Sequence, residues 1–100
     1  MQLAAEHEQA VRRWKPNARP GCTSRTSLAA YRRMLVTDER PLEDALQLVR
    51  WLFDEYEPDK PTFDWRPNVL SGDALRRQYD RLEALMQATS DPRKATPAEA

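Results

Sequence analysis

The chain has 100 residues, 32% charged and 8% aromatic, with no net charge and only two glycines. That length suits one domain with a modest core and is too short for two ordinary ones. Scarce glycine beside abundant Ala, Leu, Arg and Glu favours helices over a turn-dense β-fold, and the charge total gives no argument for nucleic acid.

Charge is distributed unevenly along the chain. Residues 1–33 hold seven basic side chains against two acidic, residues 34–64 three against nine, and residues 65–100 six against five. Such blocks produce a basic and an acidic face, unless the first two segments pack together and neutralise each other. Cys22 is the single cysteine, so no intramolecular disulfide forms, which suits a reducing compartment. The charged start "MQLAAEHEQAVRRWK" does not resemble a secretory signal, and no apolar run approaches a membrane span. A cytoplasmic protein with no membrane contact is expected.

Residues 3–14 predict a first helix, with Leu3, His7, Ala10, Val11 and Trp14 at helical spacing and Pro16 as its stop. "KPNARPGCTS" is a connection. Thr23 or Ser24 caps a second helix reaching about Val36, with Leu28, Tyr31, Met34 and Leu35 on its apolar face. Pro41 suits the first position of a third helix, whose wide apolar face (Leu42, Ala45, Leu46, Val49, Leu52 and Phe53) marks it as central. "EYEPDKPTFDWRPN" carries three prolines and reads as an ordered loop. Ser71 caps a fourth helix on which Leu75, Tyr79, Leu82 and Met86 recur. The expected fold is all-α: a small bundle of about four helices with a Pro-rich loop before the last, forming a single helical domain over 1–88. Residues 89–100 are expected to be a flexible tail.

Signals for an enzyme are poor. His7 is the only histidine, on the apolar side of its helix, and it forms no nucleophile–base pair with Cys22 unless the fold unites them. The acidic residues Asp54, Glu55, Glu57, Asp59 and Asp64 lack the glycine that a calcium loop requires, so a solvated loop is expected. No catalytic residue, metal site or cofactor is expected. Basic residues are more informative. Arg12, Arg13 and Lys15 surround Trp14, Arg32 and Arg33 follow Tyr31, and Arg19 and Arg25 lie between. Arginine neutralises phosphate and exposed aromatics stack on unpaired bases, so these seven form a candidate DNA-binding set. Trp14 and Tyr31 themselves read better as core. On the fourth helix, Asp73 with Arg77 and Arg76 with Asp80 stand four apart and can pair, whereas Arg66 and Arg81 have no evident local partner. Trp65 can pack back on Tyr79 or Leu75.

The stretch "WRPNVLSGDALRRQYDRL" resembles a pattern near the C-terminus of phage and prophage replication-initiation proteins. These are the replisome organisers and helicase loaders of the lambda O and DnaD-like kinds. The matching positions are Trp65, Asn68, Val69, Leu70, Ser71, Leu75, Arg76, Arg77, Tyr79, Asp80 and Leu82. Arg40, Pro41, Leu42, Val49 and Trp51 match in the preceding helix, and residues 24–38 fit more loosely. Gly72 stands where the pattern has proline, and the loop before Trp65 is longer. Such proteins commonly carry an N-terminal winged-helix domain, for which this chain has no room. The resemblance therefore implies an isolated C-terminal module or a small stand-alone relative. It also implies a replicative helicase or another replication protein as partner, single-stranded DNA, or both. Trp65, Arg66, Asn68, Arg76, Arg77 and Arg81 are the candidate partner-binding residues. A protein adaptor or inhibitor that captures a host factor without binding DNA is the alternative, resting on the acidic 34–64 segment with Tyr56 and Phe63 expected at its surface.

Overall fold

The computed structural model describes residues 1–57 and 64–90, with side chains through residue 88, and every regular element among them is helical. α1 spans Gln2–Trp14, α2 Arg25–Val36, α3 Leu42–Arg50 and α4 Gly72–Ser90. A π-helical turn, Trp51–Glu55, prolongs α3, and a 3-10 turn, Arg66–Asn68, precedes α4. The small all-α bundle is thus the fold, and no described helix is long and apolar enough to cross a membrane. Phe63 and the tail beyond residue 90 lie outside the described residues.

Local chemistry sets the helix ends. Ser24, not Thr23, caps α2: its Oγ accepts from the Ser27 amide at 3.1 Å. The Ser71 Oγ likewise accepts from the Ala74 amide at 3.2 Å at the start of α4. Pro41 flanks α3 one residue earlier than expected, and its carbonyl accepts from the Ala45 amide at 3.1 Å. Glu43 and Asp44 occupy the first turn, where the helix dipole favours them. Between α2 and α3 the chain turns through Glu39, held left-handed at φ 54°.

Leu3, Val11, Tyr31, Met34, Val49, Leu52, Val69, Leu75, Tyr79 and Leu82 are buried at the centre. α3 is more enclosed than its expected face: Leu48 and Trp51 are buried as well. At the π turn three consecutive bulky residues, Trp51, Leu52 and Phe53, are all buried, a demand that the wider turn accommodates. The wider turn closes with the Tyr56 amide donating to the Trp51 carbonyl at 2.8 Å. Tyr56 is buried rather than exposed, packed 5.3 Å from the Trp51 ring.

α2 and α4 meet at Ser27 and Gly72. The Gly72 amide donates to Ser27 Oγ at 3.0 Å, and that hydroxyl donates in turn to the Gly21 carbonyl. A Cβ at Gly72 would lie 2.6 Å from the Ser27 carbonyl oxygen and 2.8 Å from the Tyr31 ring. A proline there would lose the amide and collide with both groups. Glycine at position 72 is therefore imposed by this helix contact. Farther along, Asp38 pairs with Arg76, and Arg40 reaches Asp80 and Glu83, so the two helices advance in the same sense. The expected Arg76–Asp80 pair is replaced by these pairs with the α2–α3 connection, whereas Asp73 and Arg77 do pair, at 3.3 Å.

Candidate nucleic-acid interface

All seven residues of the basic set lie at the surface. Arg13 is committed to Asp54 of the π turn, at 3.0 Å from Nη2 and 3.4 Å from Nε, and so ties α1 to the end of α3. Arg12 makes a loose contact of 3.8 Å with Glu8. Lys15, Arg19, Arg25, Arg32 and Arg33 make no ion pair with any described residue. Neutralisation between the basic and acidic segments is therefore partial: Arg13 joins Asp54 and Arg50 joins Glu6, but the α2 cations remain uncompensated.

Arg25 and Arg32 stand at the edge of a solvent-open depression of about 510 Å³, lined also by Thr23, Leu28 and Ala29. Seven residues of α-helix separate the two arginines, about 10 Å of axial rise. Leu28 is half-buried and Ala29 exposed, so the floor between the cations is aliphatic. The aromatics are not part of this face. Tyr31 is fully buried, and Trp14 is half-buried with its ring 5.8 Å from Phe53.

Comparison with protein-family models, curated proteins and solved structures finds no match.

The segment before α4 differs from its reading in sequence. Arg66 has a close local partner: its Nε and Nη2 donate to the Asp64 carboxylate at 2.7–3.0 Å, and its backbone amide donates to the same carboxylate at 2.9 Å. Burial alone would raise the Asp64 carboxyl, but the guanidinium and the amide hold it below the usual carboxylate value. The Arg66 guanidinium also lies 5.3 Å from the centre of the Trp14 ring and 5.8 Å from that of Tyr56. Asn68 donates from Nδ2 to the Asp64 carbonyl at 3.2 Å. Trp65 is half-buried against the core. This segment is a clamp that fastens the start of α4 onto α1 and the π turn. Arg76 is bound to Asp38 at 2.9 and 3.0 Å, and that pairing holds the Asp38 carboxyl below its usual value. Arg77 and Arg81 stay exposed.

The fold buries His7, Tyr31 and Cys22 in one core, with His7 bonded to Tyr31 and to the strap before α4 and Cys22 bonded to the same strap. His7 Nδ1 is 2.7 Å from the Tyr31 hydroxyl and Nε2 is 2.8 Å from the Val69 carbonyl. A carbonyl only accepts, so Nε2 carries the proton and Nδ1 accepts from Tyr31. Cys22 Sγ donates to the Leu70 carbonyl at 3.6 Å. His7 and Cys22 have no solvent exposure. Burial lowers the imidazole to about 4, against the opposing Val69 bond, and raises the thiol. The His7 bonds join α1, α2 and the strap before α4; the Cys22 thiol is protonated and shielded, the reverse of an activated nucleophile. Among the described residues no group of His, Cys, Asp and Glu is placed to hold a metal ion. Asp54 and Asp64 of the acidic loop are taken by Arg13 and Arg66, and Asp59 lies outside the described residues.

Proposed function

We propose that the protein is a non-enzymatic, cytoplasmic DNA-binding accessory module of phage-type replication. It engages the phosphate backbone of single-stranded DNA through the outer face of α2 and the α1–α2 connection. The observation that carries this reading is the set Lys15, Arg19, Arg25, Arg32 and Arg33, exposed and without carboxylate partners among the described residues. A free guanidinium loses little by taking a phosphate, whereas one already held by Asp must first give up that pair. Arg13 and Arg76 accordingly contribute less than the sequence suggests. The resemblance to replisome organisers and helicase loaders supplies the replication context. It adds a replicative helicase as protein partner, for which the exposed Asn68, Arg77 and Arg81 are the available contacts beside α4.

The test is binding of a labelled oligothymidylate by fluorescence anisotropy. Wild type is expected to bind at low salt and release as salt rises, and the Arg25→Ala/Arg32→Ala/Arg33→Ala variant to bind at least tenfold more weakly. A second reading, a protein adaptor that does not bind DNA, is favoured by the exposed carboxylates Glu39, Glu43, Asp44, Glu55 and Glu57, which make no ion pair among the described residues. It gains if wild type ignores the oligomer at low salt.

A further inference from the structure

We propose that the depression on α2 is a base-binding pocket: an unpaired base lies on Leu28 and Ala29 while its flanking phosphates are held by Arg25 and Arg32. This rests on the DNA-binding reading and specifies how that face would select single strands. Three features carry it. The depression, about 510 Å³ and open to solvent, has room for one nucleobase to lie on it. Its two cations stand about 10 Å apart along the helix, on either side of the aliphatic floor rather than clustered on one side. Neither guanidinium is held by a carboxylate among the described residues, so each is free to bind phosphate or to lay its plane against a base.

The lining selects the occupant. Thr23 adds a hydroxyl that both donates and accepts, which suits the edge of a base. No carboxylate lines the depression, so nothing there repels a polyanion or recognises a cation. An acidic peptide would satisfy the arginines but would leave the aliphatic floor to chance. A nucleotide strand brings a flat apolar face and charge on both sides of it at every step. A paired base cannot enter, since its faces are covered by its neighbours in the stack. The exposed aromatics that single-strand binders usually supply are absent from this face, because Trp14 and Tyr31 belong to the core. Selectivity for bases is therefore modest.

The experiment compares an oligothymidylate with an abasic strand of equal length and charge, for wild type and for Ala29→Gln. Ala29 is an exposed helical position, so glutamine fills the floor without adding charge, and circular dichroism checks that the fold persists. Wild type is expected to bind the base-bearing strand about tenfold more tightly than the abasic one. Ala29→Gln is expected to erase that margin and leave the abasic affinity unchanged. Equal binding of the two strands by wild type, or a margin that survives Ala29→Gln, overturns the pocket while leaving phosphate binding intact. No binding of either strand at low salt defeats the DNA-binding reading itself. A polyglutamate of matched charge that displaces the oligothymidylate as well as unlabelled strand does would also overturn the pocket, in favour of an acidic protein segment.

Discussion

The Gly72 amide donates to Ser27 Oγ at 3.0 Å, and this hydrogen bond marks a close approach of α2 and α4. The contact leaves no room for a side chain. Gly72→Ala removes glycine's extra freedom in the unfolded chain, worth about 0.4–1 kcal/mol, yet its methyl group meets backbone oxygen and an aromatic ring. A net destabilisation of about 1–3 kcal/mol is expected from overpacking. Ser27→Ala, which strands a buried amide, is expected to cost about 1–3 kcal/mol. Urea unfolding of both variants checks this. Gly72→Ala as stable as wild type would mean that the helices stand farther apart.

The buried imidazole of His7 gives a pH dependence with a defined sign. Its folded value, about 4, lies below the unfolded 6.5, so folding favours the neutral ring. The folded state accordingly keeps this contribution in full above pH 6.5 and loses it as pH falls from 6.5 to 4. The loss is at most about 3 kcal/mol. Carboxylates such as Asp38 and Asp64, held below 3.8, give up their share only at still lower pH. Unfolding midpoints at pH 7, 5.5 and 4 should therefore decline before those carboxylates titrate. A flat profile between pH 7 and 4.5 would contradict the buried neutral histidine.

Arg66 is expected to behave as a structural residue. Arg66→Ala removes the paired Asp64 contacts and the cation lying over Trp14 and Tyr56. A cost of about 1–2 kcal/mol is expected, with about half recovered by Arg66→Lys, which keeps the charge but not the fork. Oligothymidylate affinity at a temperature where both variants are folded should not change. A tenfold loss of binding with unchanged stability would return Arg66 to the interface.

Tyr79 supplies the opposite case. Its hydroxyl is buried without a hydrogen-bond partner among the described residues, beside the Arg40 guanidinium that lies 4.3 Å from the ring centre. Burial, with Glu83 adding to it, pushes its ionisation up to about 12. Tyr79→Phe keeps the ring and removes an unsatisfied group, so the thermal midpoint is expected to hold or rise, with about 0–1 kcal/mol gained. A loss above about 2 kcal/mol would reveal a partner for the hydroxyl.

Caps and apolar spacing were legible in the sequence because they are local: Ser24, Ser71 and the repeat Leu75, Tyr79 and Leu82 depend on residues three or four apart. What escaped depends on the meeting of distant segments. The π turn coincides with the burial of Trp51, Leu52 and Phe53 together, which depends on the surrounding helices. Asp38 and Arg76 are separated by 38 positions, so the local rule paired Arg76 with Asp80 instead. Arg66 finds Asp64 at a spacing of two, which an α-helix does not bring face to face. The basic set was readable as composition. That Arg13 is held by Asp54 while Arg25 and Arg32 flank a depression is a product of the fold.

The salt dependence of oligothymidylate binding tests the central claim most directly. Release of counterions from single strands gives a slope of log affinity against log salt of about −0.7 per phosphate neutralised. With Lys15, Arg19, Arg25, Arg32 and Arg33 all engaged, wild type should approach about −3.5, and Arg25→Ala/Arg32→Ala should flatten this by about 1.4. An unchanged slope in the double variant, or no binding by wild type at low salt, would contradict a phosphate-binding face on α2.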